Sequence, residues 1–136
     1  MLDPYWYGTG NRGGREMENM TLGDRQTAWL ERTLRESRSK YKLVFIHQLT
    51  GGLDSAGRGG AEAAKLHQWA KIHELLKQYG VNAVFHGHDH FYARQELDGI
   101  VYQLTPQPAC RNGRIFTAEY GYREGDFLPG PGYLRV

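Results

Sequence analysis

The sequence predicts an α/β domain, and three observations lead to that prediction. Two apolar runs of strand length, 42–47 and 81–86, alternate with two longer stretches in which apolar residues recur at helical spacing. An Asp-Gly pair at 98–99 separates two further short runs, which is the strongest two-residue signal for a β-hairpin. Helices that alternate with strands and are followed by a hairpin predict a mixed sheet with an antiparallel late part.

Length and composition exclude several classes of protein. The chain has 136 residues, so we expect one domain over 1–136 with a core of its own. Its net charge of +2 is too balanced for an obvious nucleic-acid or membrane-surface protein. The single cysteine, Cys110, excludes an internal disulfide and a cysteine-based zinc finger. No apolar stretch approaches the length of a membrane span, and no signal peptide is visible.

Two helices are predicted. The first covers 24–37, because Thr21 and Asp24 resemble a capping box and the apolar positions that follow share one face. The second covers 61–79 and ends at Gly80. The predicted faces consist of Trp29, Leu30, Thr33 and Leu34 in the first helix, and of Leu66, Trp69, His73 and Leu76 in the second.

The other predicted elements are strands. The run at 42–47 is continuously apolar up to its histidine, which is typical of a central strand that is buried on both faces, and 81–86 is predicted as another buried strand. The predicted hairpin and late strands are 92–97, 100–104, 114–120 and 132–136, with a Gly- and Pro-rich loop between the last two.

Histidines follow the ends of the two buried runs. His47 ends the first run, while His86, His88 and His90 end or follow the second. Ligands of open α/β sheets bind at the carboxyl ends of strands, so neighbouring strands would bring these imidazoles into one crevice. On extended backbone His88 and His90 would point the same way, with Asp89 pointing opposite. Imidazole suits Zn, Fe, Mn or Ni, so the pattern predicts a metal site of His47, His88 and His90.

The glycine and the histidines also have structural interpretations. Gly87 lets the backbone turn sharply and lets a neighbouring group approach closely, at a position where any Cβ would intrude. His47 can be a hydrogen-bonded cap of its strand. His86 can simply pack in the interior, or it can hydrogen-bond to a metal ligand without binding the metal itself. On the second helix, His73 is expected in the core and His67 at the surface.

The strand-end motifs resemble a known family. Leu43–His47 at the end of a strand, followed by Phe85–His90 with its Gly-His-x-His element, resembles the C-terminal half of the calcineurin-like metallophosphoesterases, which include the purple acid phosphatases. Leu22–Glu31 resembles the helix before the histidine-ending strand, and Leu2–Asp3 resembles the end of the strand before that. The resemblance covers nearly the whole chain. It implies an incomplete two-sheet αββα sandwich with a mixed sheet and a late antiparallel hairpin.

The resemblance also implies an activity. Members of the family hold two metal ions (Mn, Fe, Zn, Ni or Co), so His47 and His88 would bind one ion and His90 the other. The implied reaction is hydrolysis of a phosphate ester by a metal-bound hydroxide, because a bound ion lowers the pKa of water from 15.7 toward about 7. His86 is the candidate catalytic residue, for protonation of the leaving group.

Other elements of the family's metal site are absent from this sequence. It contains no Asp-x-His and no Gly-Asn-His, and Gly23–Asp24 opens a helix where the family's Gly-Asp does not belong. Two divalent ions about 3.5 Å apart repel by about 19 kcal/mol at an effective dielectric of 20, and neutral imidazoles do not offset that repulsion. We therefore expect the chain alone to hold one ion weakly. A complete centre would need a missing N-terminal half or a second polypeptide, for example in a homodimer.

Two glycine-rich stretches leave other functions open. The loop at 51–60 lies between a predicted strand and a predicted helix, a place where phosphate-binding loops occur. In one interpretation Arg58 of this loop binds a substrate phosphate through its guanidinium group. In the other, the loop is only a surface connection. Asn11–Arg15 resembles a short RNA-binding Arg-Gly-Gly patch. The alternatives to an enzyme are an inactive fragment or interaction module of the same fold, and an RNA-binding module using Arg12, Arg15 and Arg58. The balanced net charge disfavours nucleic acid except as a substrate.

Overall fold

The helices and strands form the predicted class of fold. The computed structural model describes residues 1–4, 22–47, 49, 59–65, 69–109, 115 and 120–135. The strands are β1 (Leu43–Phe45), β2 (Ala83–His86), β3 (Tyr92–Leu97), β4 (Ile100–Leu104) and β5 (Asp126–Leu128). The helices are α1 (Gly23–Glu36) and α2 (Trp69–Gln78), with a 3₁₀ helix at Ala61–Lys65. Within the described residues the strands form one sheet in the order β1-β2-β4-β3-β5.

Strand directions divide the sheet as predicted. β1 pairs with β2, and β2 with β4, in parallel, whereas β3 pairs antiparallel with β4 and β5. The prediction of a mixed sheet is therefore confirmed. The β3–β4 turn is formed by Asp98 and Gly99, whose φ values of 52° and 80° are both left-handed. Glycine adopts that backbone without steric cost, which is why the Asp-Gly pair predicts this hairpin correctly.

Helix α1 matches the prediction of 24–37 within one residue at each end. Its buried side chains are Leu30 and Leu34, one turn apart, whereas Trp29 and Thr33 of the predicted face are exposed, so this face is confirmed only for the two leucines. The residue before the helix, Leu22, makes no side-chain cap hydrogen bond. Thr21, the predicted capping residue, lies outside the described residues.

The predicted helix 61–79 is divided in the structure. The 3₁₀ helix covers its first part and α2 its second, while 66–68 between them lie outside the described residues. The buried side chains of α2 are Trp69, Ile72, His73 and Leu76, so the predicted face is confirmed for this part of the helix. Gly80 follows with a φ of 66° and ends the helix as predicted.

One hydrophobic core joins both helices to one face of the sheet. It includes Leu30 of α1, Ile72 of α2, Val44 of β1 and Val84 of β2. Because alternate residues of a strand point to opposite faces, the helices cover the face that carries the two valines. A second, smaller cluster consists of Phe91, Ala93, Leu104 and Tyr122. Neither helix in the described part of the chain has the length and apolar character needed to cross a membrane.

The N-terminal segment lies beside β1. Leu2 forms a parallel bridge with Ile46, and its N–H donates to the carbonyl of Phe45 at 2.7 Å. Gln26 of α1 holds the next residue from both sides: its Oε1 accepts from the Asp3 N–H at 2.7 Å, and its Nε2 donates to the Asp3 carbonyl at 2.8 Å. Leu2 is thus in the position of a neighbouring parallel strand.

The prediction that 42–47 is a central strand buried on both faces is wrong. Val44 is buried, but Leu43 and Phe45 are each 48% exposed. Phe45 stacks on Phe85 of β2 with ring centroids 5.1 Å apart. Both rings line a groove of about 460 Å³ on the side of the sheet that the helices do not cover. The continuous apolar run therefore predicts the strand correctly. Among the described residues, however, no second layer of helices or strands covers the face of β1 that carries Leu43 and Phe45.

The late strands also differ from the prediction. β5 lies in the predicted Gly- and Pro-rich loop, whereas 132–135 form no strand, and most of 114–120 lies outside the described residues. β5 pairs over three residues with the start of β3. A segment this short, with Gly125 before it and Pro129 after it, has no recognisable period of its own. It becomes a strand because β3 offers a free edge.

A buried hydrogen-bond network joins α2 to the β3–β4 hairpin. His73 Nδ1 lies 2.7 Å from the Tyr102 hydroxyl oxygen, and His73 Nε2 lies 3.0 Å from Asp98 Oδ2. His73 is 1% exposed and both of its ring nitrogens have hydrogen-bond partners, so its predicted place in the core is confirmed. Burial, with a smaller contribution from the charge of Asp98, raises the pKa of Tyr102 above its usual range.

Tyr102→Phe should make the free energy of unfolding less dependent on pH above about pH 10. The pKa of this hydroxyl is higher in the folded than in the unfolded chain, so the unfolded chain loses the proton first and the wild type loses stability as the pH rises. Below that range the substitution should cost about 1–3 kcal/mol, because His73 loses a buried partner. Urea denaturation across this pH range measures both effects.

Tyr41→Phe is the matched control for this prediction, because Tyr41 is 65% exposed. It should keep the wild-type pH dependence. If Tyr102→Phe also keeps it, Tyr102 is not held protonated by the fold.

Candidate metal centre

Parallel pairing brings the carboxyl ends of β1 and β2 to one edge of the sheet, as predicted. The backbone ladder continues past both strands: the Ile46 N–H donates to the Phe85 carbonyl at 3.0 Å, and the Gly87 N–H donates to the His47 carbonyl at 2.8 Å. His47 therefore lies directly beside Gly87, and His88 is the next residue along the chain.

The imidazoles of His47 and His88 are neighbours at this edge. Their ring centroids are 5.5 Å apart, with an angle of 85° between the ring planes. Two imidazoles that bind one ion at about 2.1 Å, with a tetrahedral angle at the ion, have centroids about 5 Å apart. The observed centroid spacing is close to that value.

Gly87 leaves room for the ring of His47. A Cβ built on Gly87 would lie 3.4 Å from the His47 carbonyl oxygen and 3.6 Å from its Nδ1. These are ordinary van der Waals distances, so one methyl group would touch the ring without displacing it. A β-branched side chain would bring further carbons into the same space. The neighbouring group is His47, but a Cβ at Gly87 would make only ordinary contacts with it, so the prediction that any Cβ would intrude here is wrong.

The backbone after Gly87 is not extended, contrary to the prediction. The φ values of His88 and His90 are 86° and 66°, both in the left-handed region, so the prediction that extended backbone aims both imidazoles the same way is wrong. His88 is half-buried and His90 is exposed. Within the described residues, the ligand atoms of these two histidines and His47 do not form a group that lies within 4.8 Å. The binding of His90 to a different ion from the other two stays a prediction.

Asp89 points into the protein between the two histidines. It is buried, and its Oδ2 accepts a hydrogen bond from the Tyr122 hydroxyl at 2.8 Å. The prediction that Asp89 points opposite to its neighbours assumed extended backbone, which the structure does not have at His88 and His90. Tyr122 is 33 residues away along the chain and belongs to no motif, so no local signal in the sequence identifies it.

His86 is a buried imidazole at the end of β2. It is 3% exposed, and its Nε2 has no hydrogen-bond partner among the described residues. Burial lowers the pKa of His86 to about 3, against the opposing effect of a backbone hydrogen bond at Gly87. The ring is therefore neutral near pH 7, and any part it plays in proton transfer must use its neutral form. Its catalytic role stays a prediction.

A second group of metal-binding residue types lies where the middle of α2 meets the β3–β4 turn. The ligand atoms of His73, Glu74 and Asp98 lie within 4.8 Å of one another, a group that the sequence does not indicate. Both nitrogens of His73 are already engaged, with Tyr102 and Asp98. Lys77 Nζ also lies 3.8 Å from the Asp98 carboxylate. The existing hydrogen bonds and this ammonium group disfavour a cation there.

The arginines of the two glycine-rich stretches lie outside the described residues. This concerns Arg58, the predicted phosphate-binding residue, and Arg12 and Arg15 of the RNA-binding alternative. Their assignments stay predictions.

Comparison with known proteins indicates a distant phosphatase relationship. No protein-family model matches the chain. Tartrate-resistant acid phosphatase type 5 of Oryctolagus cuniculus is 34% identical over 89 residues, which are 64% of this chain and 25% of that protein. The chain thus spans about a quarter of the length of this curated relative.

Gly87→Val should move the His47 ring away from His88, whereas Gly87→Ala should leave it in place. The reason is the 3.6 Å distance between His47 Nδ1 and a Cβ at Gly87, which admits a methyl group but no branch. Nuclear Overhauser contacts between the ring protons of the two histidines measure the effect. Contacts that persist unchanged in Gly87→Val, or that are absent from the wild type, would contradict the geometry.

Proposed function

We propose that this chain contributes histidine ligands to the metal centre of a phosphate-ester hydrolase. One observation supports the proposal most strongly: the parallel strands β1 and β2 end at the same edge, with the rings of His47 and His88 5.5 Å apart. The reaction class is supported by the similarity to a protein named as an acid phosphatase. The resemblance of the Gly-His-x-His segment to that of metallophosphoesterases agrees with both.

In this proposal His47 and His88 bind one ion, and His90 binds a second. Their nitrogen donors suit Mn, Fe, Zn, Ni or Co. The chemistry that such ions supply when bound is polarisation of the phosphate and activation of water for in-line attack. The chain itself holds the ligands: the hydrogen bond between Gly87 and His47 fixes one ligand beside the segment that bears the other two.

The remaining ligands belong to further polypeptide in this proposal. Imidazoles carry no negative charge, so two neighbouring ions need carboxylates that the described edge does not supply. We propose that the chain is the C-terminal half of a two-sheet sandwich, completed by a preceding segment or by a second polypeptide, for example in a homodimer. The half-exposed Leu43 and Phe45 support this, because a second layer would bury them.

Two further roles complete the proposal. Arg58 binds the substrate phosphate, because guanidinium matches phosphate oxygens in a bidentate manner. His86 acts next to the metal ligands in its neutral form, as a hydrogen-bonding group for substrate or for the leaving group. Its position at the end of β2, directly before Gly87 and His88, supports this role.

A second candidate is a non-catalytic interaction module of the same fold. The groove of about 460 Å³ that Phe45 and Phe85 line favours it, because exposed apolar surface of this kind is typical of contact sites. The two candidates differ in what the histidines do, since an interaction module does not require them to bind metal.

Metal titration tests the proposed function. Isothermal titration calorimetry with Zn²⁺ and with Mn²⁺ should detect binding to the wild-type chain, and His47→Ala and His88→Ala should each weaken it at least about tenfold. His67→Ala is the control, because this histidine is not among the proposed ligands, and it should leave the affinity unchanged. Wild-type affinity in the double variant H47A/H88A contradicts the proposal.

Hydrolysis of p-nitrophenyl phosphate separates the enzyme from the interaction module. Turnover that depends on added metal and disappears in His88→Ala supports the enzyme. Absence of both metal binding and turnover supports the interaction module and contradicts the proposed function for this chain.

A further inference from the structure

We infer that the hydrogen bond between Asp89 and Tyr122 positions His88 and His90 at the edge of the sheet. Asp89 itself is not a ligand in this inference: its carboxylate is directed into the protein, where Oδ2 accepts from the Tyr122 hydroxyl at 2.8 Å. The claim that this hydrogen bond raises metal affinity rests on the proposed function. The claim that it holds the backbone of His88 and His90 does not.

The segment needs an anchor because its backbone is unfavourable. His88 and His90 both have positive φ, 86° and 66°, although neither is glycine. Side chains with a Cβ pay a steric cost in this region, and such backbone persists only where the surroundings hold it. Two strained residues so close together would relax if nothing fixed the residues between and after them.

The anchors are the two residues that alternate with the histidines. Asp89 is buried at 8% exposure, and Phe91 is completely buried, whereas His88 is half-buried and His90 is exposed. The ring of Phe91 lies edge-on to the ring of Tyr122, with centroids 5.0 Å apart. Tyr122 thus holds the segment twice, through its hydroxyl at Asp89 and through its ring at Phe91.

Tyr122 is itself fixed by the segment that follows it. The carboxylate oxygen Oε1 of Glu62 accepts from the backbone N–H groups of Arg123 and Glu124, each at 3.2 Å. Gln95 of β3 donates to Glu62 Oε2 at 3.0 Å and to the Glu124 carbonyl at 2.6 Å. Hydrogen bonds to Glu62 of the 3₁₀ helix and to Gln95 of β3 therefore hold the two residues that follow Tyr122. This makes the Tyr122 hydroxyl a fixed donor for Asp89.

Asp89 and Tyr122 are accordingly positioning residues, which act on the metal through the histidines. Groups that orient metal ligands without touching the metal commonly change metal affinity 10–100-fold when they are removed. The inference makes a specific claim about chemistry: the hydrogen bond is what matters, and the negative charge of Asp89 is not.

The first test needs no metal. Tyr122→Phe removes only the hydroxyl and keeps the ring beside Phe91. One-bond Cα–Hα couplings, which distinguish positive from negative φ, should report left-handed backbone at His88 and His90 in the wild type. They should shift toward ordinary values in Tyr122→Phe. Tyr102→Phe, which removes a buried hydroxyl bonded to His73, is the matched control and should leave these couplings unchanged.

The second test measures Zn²⁺ affinity by calorimetry. Tyr122→Phe should weaken binding about tenfold, and Tyr102→Phe should not change it. Asp89→Ala should weaken binding as much as Tyr122→Phe. Asp89→Asn should restore most of the affinity, because the amide oxygen still accepts from Tyr122.

The outcomes separate the inference from the proposed function. Unchanged couplings and unchanged affinity in Tyr122→Phe overturn the inference, as does an Asp89→Asn variant that loses as much affinity as Asp89→Ala. If the wild type binds no Zn²⁺, the proposed function fails for this chain. The couplings in Tyr122→Phe and Asp89→Asn then still decide whether the hydrogen bond holds the segment.

Discussion

The parallel pairing of β1 with β2 is the constraint on which the rest of the candidate site depends. Parallel strands end at the same edge of a sheet, so residues that follow them in the sequence become neighbours in space. Here the ladder runs on until the Gly87 N–H meets the His47 carbonyl, and the rings of His47 and His88 then lie side by side. Helices α1 and α2 stabilise this pairing by burying Val44 and Val84 on one face.

The other side of the site depends on a buried polar contact between residues that are far apart in the sequence. The Tyr122 hydroxyl and the Asp89 carboxylate meet inside the protein, and the strained backbone at His88 and His90 lies around that contact. A similar arrangement holds α2 against the hairpin, where His73 bridges Tyr102 and Asp98. Each is a buried hydrogen bond that joins elements distant in sequence, so each specifies tertiary structure more than local structure.

Local patterns predicted the parts of the fold that neighbouring residues determine. Helical spacing identified α1 and α2, the Asp-Gly pair identified the hairpin, and the strand-end histidines predicted that His47 and His88 would meet at one edge of the sheet. Features that depend on distant partners were not predictable in this way. The exposure of Phe45 depends on which layer covers it, β5 forms only against β3, and Tyr122 reaches Asp89 across 33 residues. The positive φ values of the two histidines follow from such contacts, so an extended backbone was the wrong assumption.

The most direct test of the central claim is the anomalous scattering of Zn²⁺ in crystals of the chain, recorded on both sides of the zinc absorption edge. The account predicts an anomalous peak between the imidazoles of His47 and His88. A peak confined to His73, Glu74 and Asp98, with none between His47 and His88, would contradict it.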